Sequence, residues 1–133
     1  MIAYKCTRAN GRDFRTNSVT YEVGKVVEQL DCDQVSMGAC GKGLHVSPTP
    51  FIACSFGDTN IDRRRWRWFE VRVAEADIIA QDTQKSRVQK LFVAREITRE
   101  ELFGDLKAKS ARARKITETY KNIAWLKPSR AVT

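Results

Sequence analysis

Apolar and polar residues alternate with a period of two through much of the first hundred positions, and that period predicts strands. Ile2 to Thr7 reads as a short strand, followed by a turn at Asn10-Gly11. Tyr21-Glu22-Val23 alternates, stops at Gly24 and resumes at Lys25-Val26-Val27, which predicts a strand with a bend. Residues 31–42 form a polar loop closed by Gly38, Gly41 and Gly43, and Leu44-His45-Val46 is a short strand directly after it. Trp66 to Val73 carries the clearest alternation. Phe69, Val71 and Val73 fall on one face, and Trp66, Trp68, Glu70 and Arg72 on the other. Ile78-Ile79-Ala80 predicts a further strand, and Arg87 to Arg95 another.

Helical signals are fewer. Thr49 followed by Pro50 has the chemistry of a helix start, a capping hydroxyl before a proline at the first helical position. Phe51 to Phe56 continue it as one short helix stopped by Gly57. Thr98-Arg99-Glu100-Glu101 has the spacing of a capping box, and Gly104 interrupts the helix it starts. Beyond it Leu106, Ala113, Ile116, Tyr120 and Ile123 line one stripe of a C-terminal helix ending by Pro128. The pattern predicts an α+β fold: a small, mostly antiparallel sheet, a short helix after residue 49 and a C-terminal helix. A β-rich core over residues 1–104 and a basic helix and tail over 105–133 make one domain of it.

Composition narrows the class. The 133 residues suffice for one domain, with 42% hydrophobic and 30% charged side chains as in ordinary folded proteins. No apolar run reaches the eighteen or so residues of a membrane-spanning helix. Met1-Ile2-Ala3-Tyr4-Lys5 lacks the basic-then-apolar pattern of a secretory signal, and four unevenly spaced cysteines do not read as a disulfide framework. A reducing cytosol is the expectation.

The net charge of +8 is unevenly placed. Residues 1–106 hold 16 basic and 15 acidic side chains, whereas residues 107–133 hold 8 basic side chains against Glu118 alone. Lys107, Lys109, Arg112, Arg114 and Lys115 lead this segment. Such a footprint suits phosphates or an acidic protein, or else is a solvated helix face.

Arg63-Arg64-Arg65-Trp66-Arg67-Trp68 is the most unusual string. Arginine forks bind phosphate and tryptophan faces stack on bases, so the string predicts a nucleic-acid or partner surface if the rings are wet. If instead a helix covers the rings, only Arg63 to Arg65 remain exposed. His45, the only histidine, follows the glycine-rich turn Gly41-Lys42-Gly43. An imidazole there serves as acid, base or anion ligand, or locks the turn through a backbone hydrogen bond. Cys32, Cys40, His45 and Cys54 are zinc-type ligands, but without a Cys-x-x-Cys pair the spacing does not predict a metal site, and no cofactor is expected. The chain contains no phosphate loop, dinucleotide fingerprint or metalloprotease motif.

From Tyr21 to about Thr98 the order of motifs resembles a group of small bacteriophage and prophage proteins related to the C-terminal region of phage rIIB-type proteins. The matching segments are Tyr21-Glu22-Val23-Gly24, Cys40-Gly41-Lys42-Gly43-Leu44-His45, Ala53 with Phe56-Gly57, Phe69 to Val73, Asp77 to Ala80, and Lys85 to Ile97. Gln81-Asp82 stands where that group carries a proline. The resemblance implies a phage accessory or host-interaction protein acting in the bacterial host cytoplasm. With the charge pattern, it leads to the expectation of a binding module for nucleic acid or an acidic host protein. A second resemblance leads elsewhere. Gly43-Leu44-His45-Val46-Ser47 with Ala53 is similar to the box that small NAD-dependent ADP-ribosyltransferases place before a short helix. It would make His45 a catalytic residue, with Lys5 where such enzymes carry Arg or His on the first strand, but no catalytic Glu is assignable. A structural virion component is the third alternative.

Overall fold

In a computed structural model of the chain, which describes residues 1–35, 38 and 41–104, seven strands among the described residues form two antiparallel sheets. The fold is mostly β with short helices. The strands are β1 (Ile2–Thr7), β2 (Val26–Glu28), β3 (Leu44–Val46), β4 (Arg67–Arg72), β5 (Ile78–Gln81), β6 (Ser86–Val88) and β7 (Lys90–Ile97). One sheet has the order β1-β4-β7-β2 and the other β3-β6-β5. The chain divides into two compact units, Met1–Glu96 and Ile97–Thr133.

The core of the first unit is what the alternation dictates. Ala3, Phe69, Val71 and Val73 meet Leu44, Val46 and Val88, all buried. Burial of a side chain such as Phe69 is worth about 1.5–3 kcal/mol, which fixes which face of β4 turns inward. Helix α1 (Pro50–Cys54) starts as the sequence requires, Thr49 Oγ1 accepting the Ile52 N–H at 3.0 Å. Ser55 then ends it, donating from its hydroxyl to the Ile52 carbonyl at 2.6 Å.

Two sheets form where one was expected because residues 86–97 are not a single strand. Gln89 turns a corner between β6 and β7 and sends its hydrogen bonds elsewhere. Its N–H donates to the Asp77 carbonyl at 2.9 Å, its side-chain amide to Asp77 Oδ1 at 3.0 Å, and its carbonyl accepts from the Gln29 N–H at 2.9 Å. β6 therefore pairs with β3 and β5, while β7 pairs with β2.

The two sheets touch through β1 and β3 at one bridge, Tyr4 with Ser47, closed by hydrogen bonds of 2.8 and 2.9 Å. Past it the strands part. In place of a continued ladder, the Lys5 ammonium donates to the His45 carbonyl at 3.0 Å. This wedge opens the cleft described below.

In the second unit, Thr98 and Glu101 form the expected capping box. The Thr98 N–H donates to Glu101 Oε1 and the Glu101 N–H to Thr98 Oγ1, both at 3.0 Å. A π-helical turn spans Glu100–Gly104. The C-terminal helix expected beyond residue 104 lies outside the described residues.

Candidate functional site

The arginine–tryptophan string does not form a stacking platform. Trp66 is 3% exposed and Trp68 1% exposed. Trp66 donates from its indole N–H to the Ile61 carbonyl at 3.0 Å, meets the Phe14 ring edge-on at 5.0 Å, and lies against Gly57. Trp68 donates from its indole to Cys54 Sγ at 3.1 Å. A flat ring with one N–H is well satisfied inside once that donor finds an acceptor, so both tryptophans serve as packing. The loop before β4, α1 and the loop holding Phe14 supply the cover among the described residues.

The arginines are partly committed. Arg63–Arg65 form an exposed 3-10 turn capped by Asp62. Arg64 makes a two-pronged ion pair with Asp62, the shortest contact 2.7 Å, and its guanidinium holds the Asp62 carboxyl down to about 2. Arg63 lies over the Trp66 ring at 5.6 Å. Arg67 forks onto Glu96 at 2.8 and 2.9 Å and covers the Phe69 ring. Lys107, Lys109, Arg112, Arg114 and Lys115 lie outside the described residues.

The glycine box before β3 has a structural cause. Arg87 on β6, 1% exposed, donates to the carbonyls of Asp33 at 3.1 Å and Gly38 at 3.0 Å and to that of Val35, stapling the polar loop. Gly43 adopts φ +150°, and a Cβ there would stand 2.6 Å from Arg87 Cγ and 2.8 Å from Cys32 Sγ. These glycines wrap the backbone around a buried guanidinium, a different task from cradling phosphate.

The cleft lies where β1 and β3 part. Two cavities of about 200 and 290 Å³ share Lys5, Arg15 and His45 in their walls. Around the first stand Tyr4, Phe14, Ser47, Phe56 and Lys85, and no carboxylate. Around the second stand Tyr21, Thr16, Ser18, Gln29 and Lys42. Asp13, its acidic member, is committed to its own loop. It accepts from the N–H groups of Thr16, Ser18 and Val19 and from the Thr16 hydroxyl, at 2.7–3.1 Å. Burial pushes the Asp13 carboxyl up, but these hydrogen bonds outweigh it and hold the group below the usual carboxylate range.

The charges in the cleft are unbalanced. Burial lowers the Lys5 ammonium from 10.5 to about 8, with Asp13 opposing. Lys5 also faces the Tyr21 ring at 5.5 Å, and Lys85 the Phe56 ring at 5.2 Å. Neither they nor Arg15 has a carboxylate within ion-pair distance among the described residues. His45 is lowered from 6.5 to about 4, by burial first and then by Lys5, Lys85, Arg15 and Arg87, so its ring is neutral at pH 7. Its Nε2 is buried and has no hydrogen-bond partner among the described residues. The first cavity thus joins one buried imidazole nitrogen without a partner among the described residues to three cationic side chains in the same wall.

Of the residues singled out in the sequence, His45, Ser47, Ala53 and Lys5 come together here. Phe56 and Lys85, which also fall in the resembling motif segments, join them, as do Phe14 and Arg15, which no sequence spacing marks. Among the described residues no three His, Cys, Asp or Glu side chains cluster as metal ligands. Cys32 instead donates to the Asp33 and Val88 carbonyls at 3.7 Å. No helix among the described residues is long and apolar enough to cross a membrane.

No curated protein and no solved structure matches the chain. Residues 1–105, which hold both sheets and every wall of the cleft, match one family along their whole length. The chain belongs to the DUF7666 family, a domain of unknown function.

Proposed function

We propose that the cleft between β1 and β3 binds a small phosphate-bearing molecule of the nucleotide class. The observation that carries this reading is the buried, unpartnered Nε2 of His45 in a cavity whose charged side chains are Lys5, Arg15 and Lys85. The cations supply charge for a phosphate, the neutral imidazole supplies one directional hydrogen bond, and Phe14 and Phe56 supply flat apolar walls for a ring. The likeness of Gly43 to Ser47 to the box of small ADP-ribosyltransferases supports the same cleft and makes NAD the first nucleotide to test. Transfer chemistry is not part of the proposal, because among the described residues the one carboxylate in the walls of the two cavities is Asp13, which is committed to its own loop.

The test is thermal unfolding in the presence of inorganic phosphate, AMP and NAD, with NAD cleavage followed in parallel. A ligand at one hundred times its Kd stabilises by about 2.7 kcal/mol. Phosphate-bearing ligands raise Tm in the native chain and fail to do so in Lys5→Met. Equal Tm values with and without all three ligands would end this reading.

A second reading keeps the phage or prophage accessory role that the motif order implies, with nucleic acid or an acidic host protein as partner. The exposed Arg63–Arg65 turn and the basic segment after residue 106 favour it over a virion component. It requires affinity that falls steeply with salt and a smaller slope in Arg63→Ala. Stacking on Trp66 or Trp68 is no part of it.

A further inference from the structure

We propose that Lys5 is a carbonyl-trapping amine, condensing with the aldehyde group of a small phosphorylated carbonyl compound held in the β1–β3 cleft. The inference rests on the anion-binding reading above and adds a covalent step that phosphate binding alone does not require.

Four features place a reactive amine here. Lys5 projects from a strand held in register against β4, Lys5 opposite Phe69, so its stem is anchored. Its Nζ uses one hydrogen bond, to the His45 carbonyl at 3.0 Å, which leaves two of three N–H bonds uncommitted to that contact. It stands in the wall shared by both cavities, so a ligand in either one reaches it. No carboxylate lies within ion-pair distance of it among the described residues, so burial outweighs the opposing charge of the more distant Asp13. Arg15 and Lys85 then stand ready for a phosphate. The first cavity, about 200 Å³, has room for a three-carbon phosphate beside Lys5, whereas a nucleotide extends into the second cavity of about 290 Å³ across the shared wall.

The step balances without an oxidant or reductant. The ammonium releases a proton to solvent, and the neutral Nζ attacks the carbonyl carbon to form a C–N bond. The carbinolamine hydroxyl leaves as water, taking up one proton, and the product is a protonated imine plus water. Burial lowers the Lys5 pKa to about 8, in the direction that favours the neutral amine. At pH 8 about half of such a group is neutral, against about 0.4% of an ordinary lysine.

The test treats the native chain with glyceraldehyde 3-phosphate and cyanoborohydride at pH 8 and maps the modified peptides by mass spectrometry. Unphosphorylated glyceraldehyde is the control. The proposal requires Lys5 to be modified at least about tenfold faster than any other lysine, and the control to lose most of that preference. Lys5→Arg removes the modified peptide, while the unmutated map needs no variant to fold. Modification of surface lysines with Lys5 spared overturns the proposal, as does equal reaction of Lys5 with both aldehydes. Inorganic phosphate binding, followed separately through His45, distinguishes the failures. Phosphate bound with Lys5 unmodified sinks the trapping step alone, and no phosphate binding sinks both readings.

Discussion

Replacing Gly57 by alanine tests whether Trp66 is packing or a binding surface. The new Cβ would lie 2.4, 2.6 and 2.9 Å from Cη2, Cζ3 and Cζ2 of the Trp66 ring. Carbon atoms in contact sit about 3.5–4.0 Å apart, so a rigid ring must retreat by about 1 Å. It cannot shift without loss, because its indole N–H is tied to the Ile61 carbonyl at 3.0 Å and its ring is paired with Phe14 at 5.0 Å. Overpacking costs about 1–3 kcal/mol, a strained or broken hydrogen bond about 1, and a weakened aromatic pair about 0.5–1.5. Since relaxation relieves one of these at the expense of another, the expected loss is about 2–4 kcal/mol, or a Tm lowered by roughly 8–20 °C. Urea unfolding followed by tryptophan fluorescence measures it, and acrylamide quenching of the native state reports whether the ring has become wet. A change within about 0.5 kcal/mol, with unaltered quenching, would mean that Trp66 is not packed against Gly57, since such small effects belong to open surface sites.

Other outcomes follow from the same structure. Gly43→Ala combines a φ of +150° with a Cβ 2.6 Å from Arg87 Cγ, so stability falls by about 3 kcal/mol or more, measured by urea unfolding. For Lys5 the folded pKa lies near 8 and the unfolded one at 10.5, so the unfolded chain holds more protons between those values. Stability therefore rises from pH 8 towards 10.5, by at most about 3 kcal/mol and by less because Lys5 is partly open to solvent. Lys5→Met removes that rise from the pH profile. Glu96 is held below 4.5 by its hydrogen bonds to Arg67, so the stability the pair contributes is lost as pH falls below 4.5. With both partners more than a third exposed, Glu96→Gln costs no more than about 1 kcal/mol in urea unfolding at pH 7.

Local chemistry in the sequence carried much of the fold. β1, β3, the Thr49-Pro50 helix start, and the Thr98–Glu101 capping box stand where alternation and capping residues put them, because each is decided within a few residues. The corner at Gln89 left no such mark. Glutamine is neither a glycine nor a proline, and the turn depends on partners at Asp77 and Gln29. Trp66 and Trp68 show the limit of reading one strand in isolation. Opposite faces of β4 both turned out buried, since loops from residues 14 and 57–61 cover the second face. Arg87 was legible only as a charged residue in an apolar strand. What makes it buried is a set of backbone carbonyls more than forty positions away.

The cleft was half legible. His45 stood out as the lone imidazole after a glycine turn, and Lys5 as the first-strand residue of a resembling enzyme group. Phe14 and Arg15 carry no spacing signal, and Phe56 and Lys85 were marked only as parts of separate motif segments, because only the parting of β1 from β3 brings them to one cavity. The glycines before His45 read only as a turn closing a polar loop, and the need for them at 41 and 43 comes from the Arg87 side chain packed against both.

In the function proposed above, His45 and its surrounding cations receive a phosphate-bearing ligand, and the chain's single histidine makes that directly observable. Its imidazole proton and nitrogen resonances, followed by NMR at pH 7 as inorganic phosphate and then AMP are added, report on one site without ambiguity. The ring is expected to be neutral, with an Nε2 signal that shifts saturably with ligand and a shift abolished in Lys5→Met. A ring unchanged by millimolar phosphate and nucleotide, in a chain whose other resonances show it folded, would contradict that proposal.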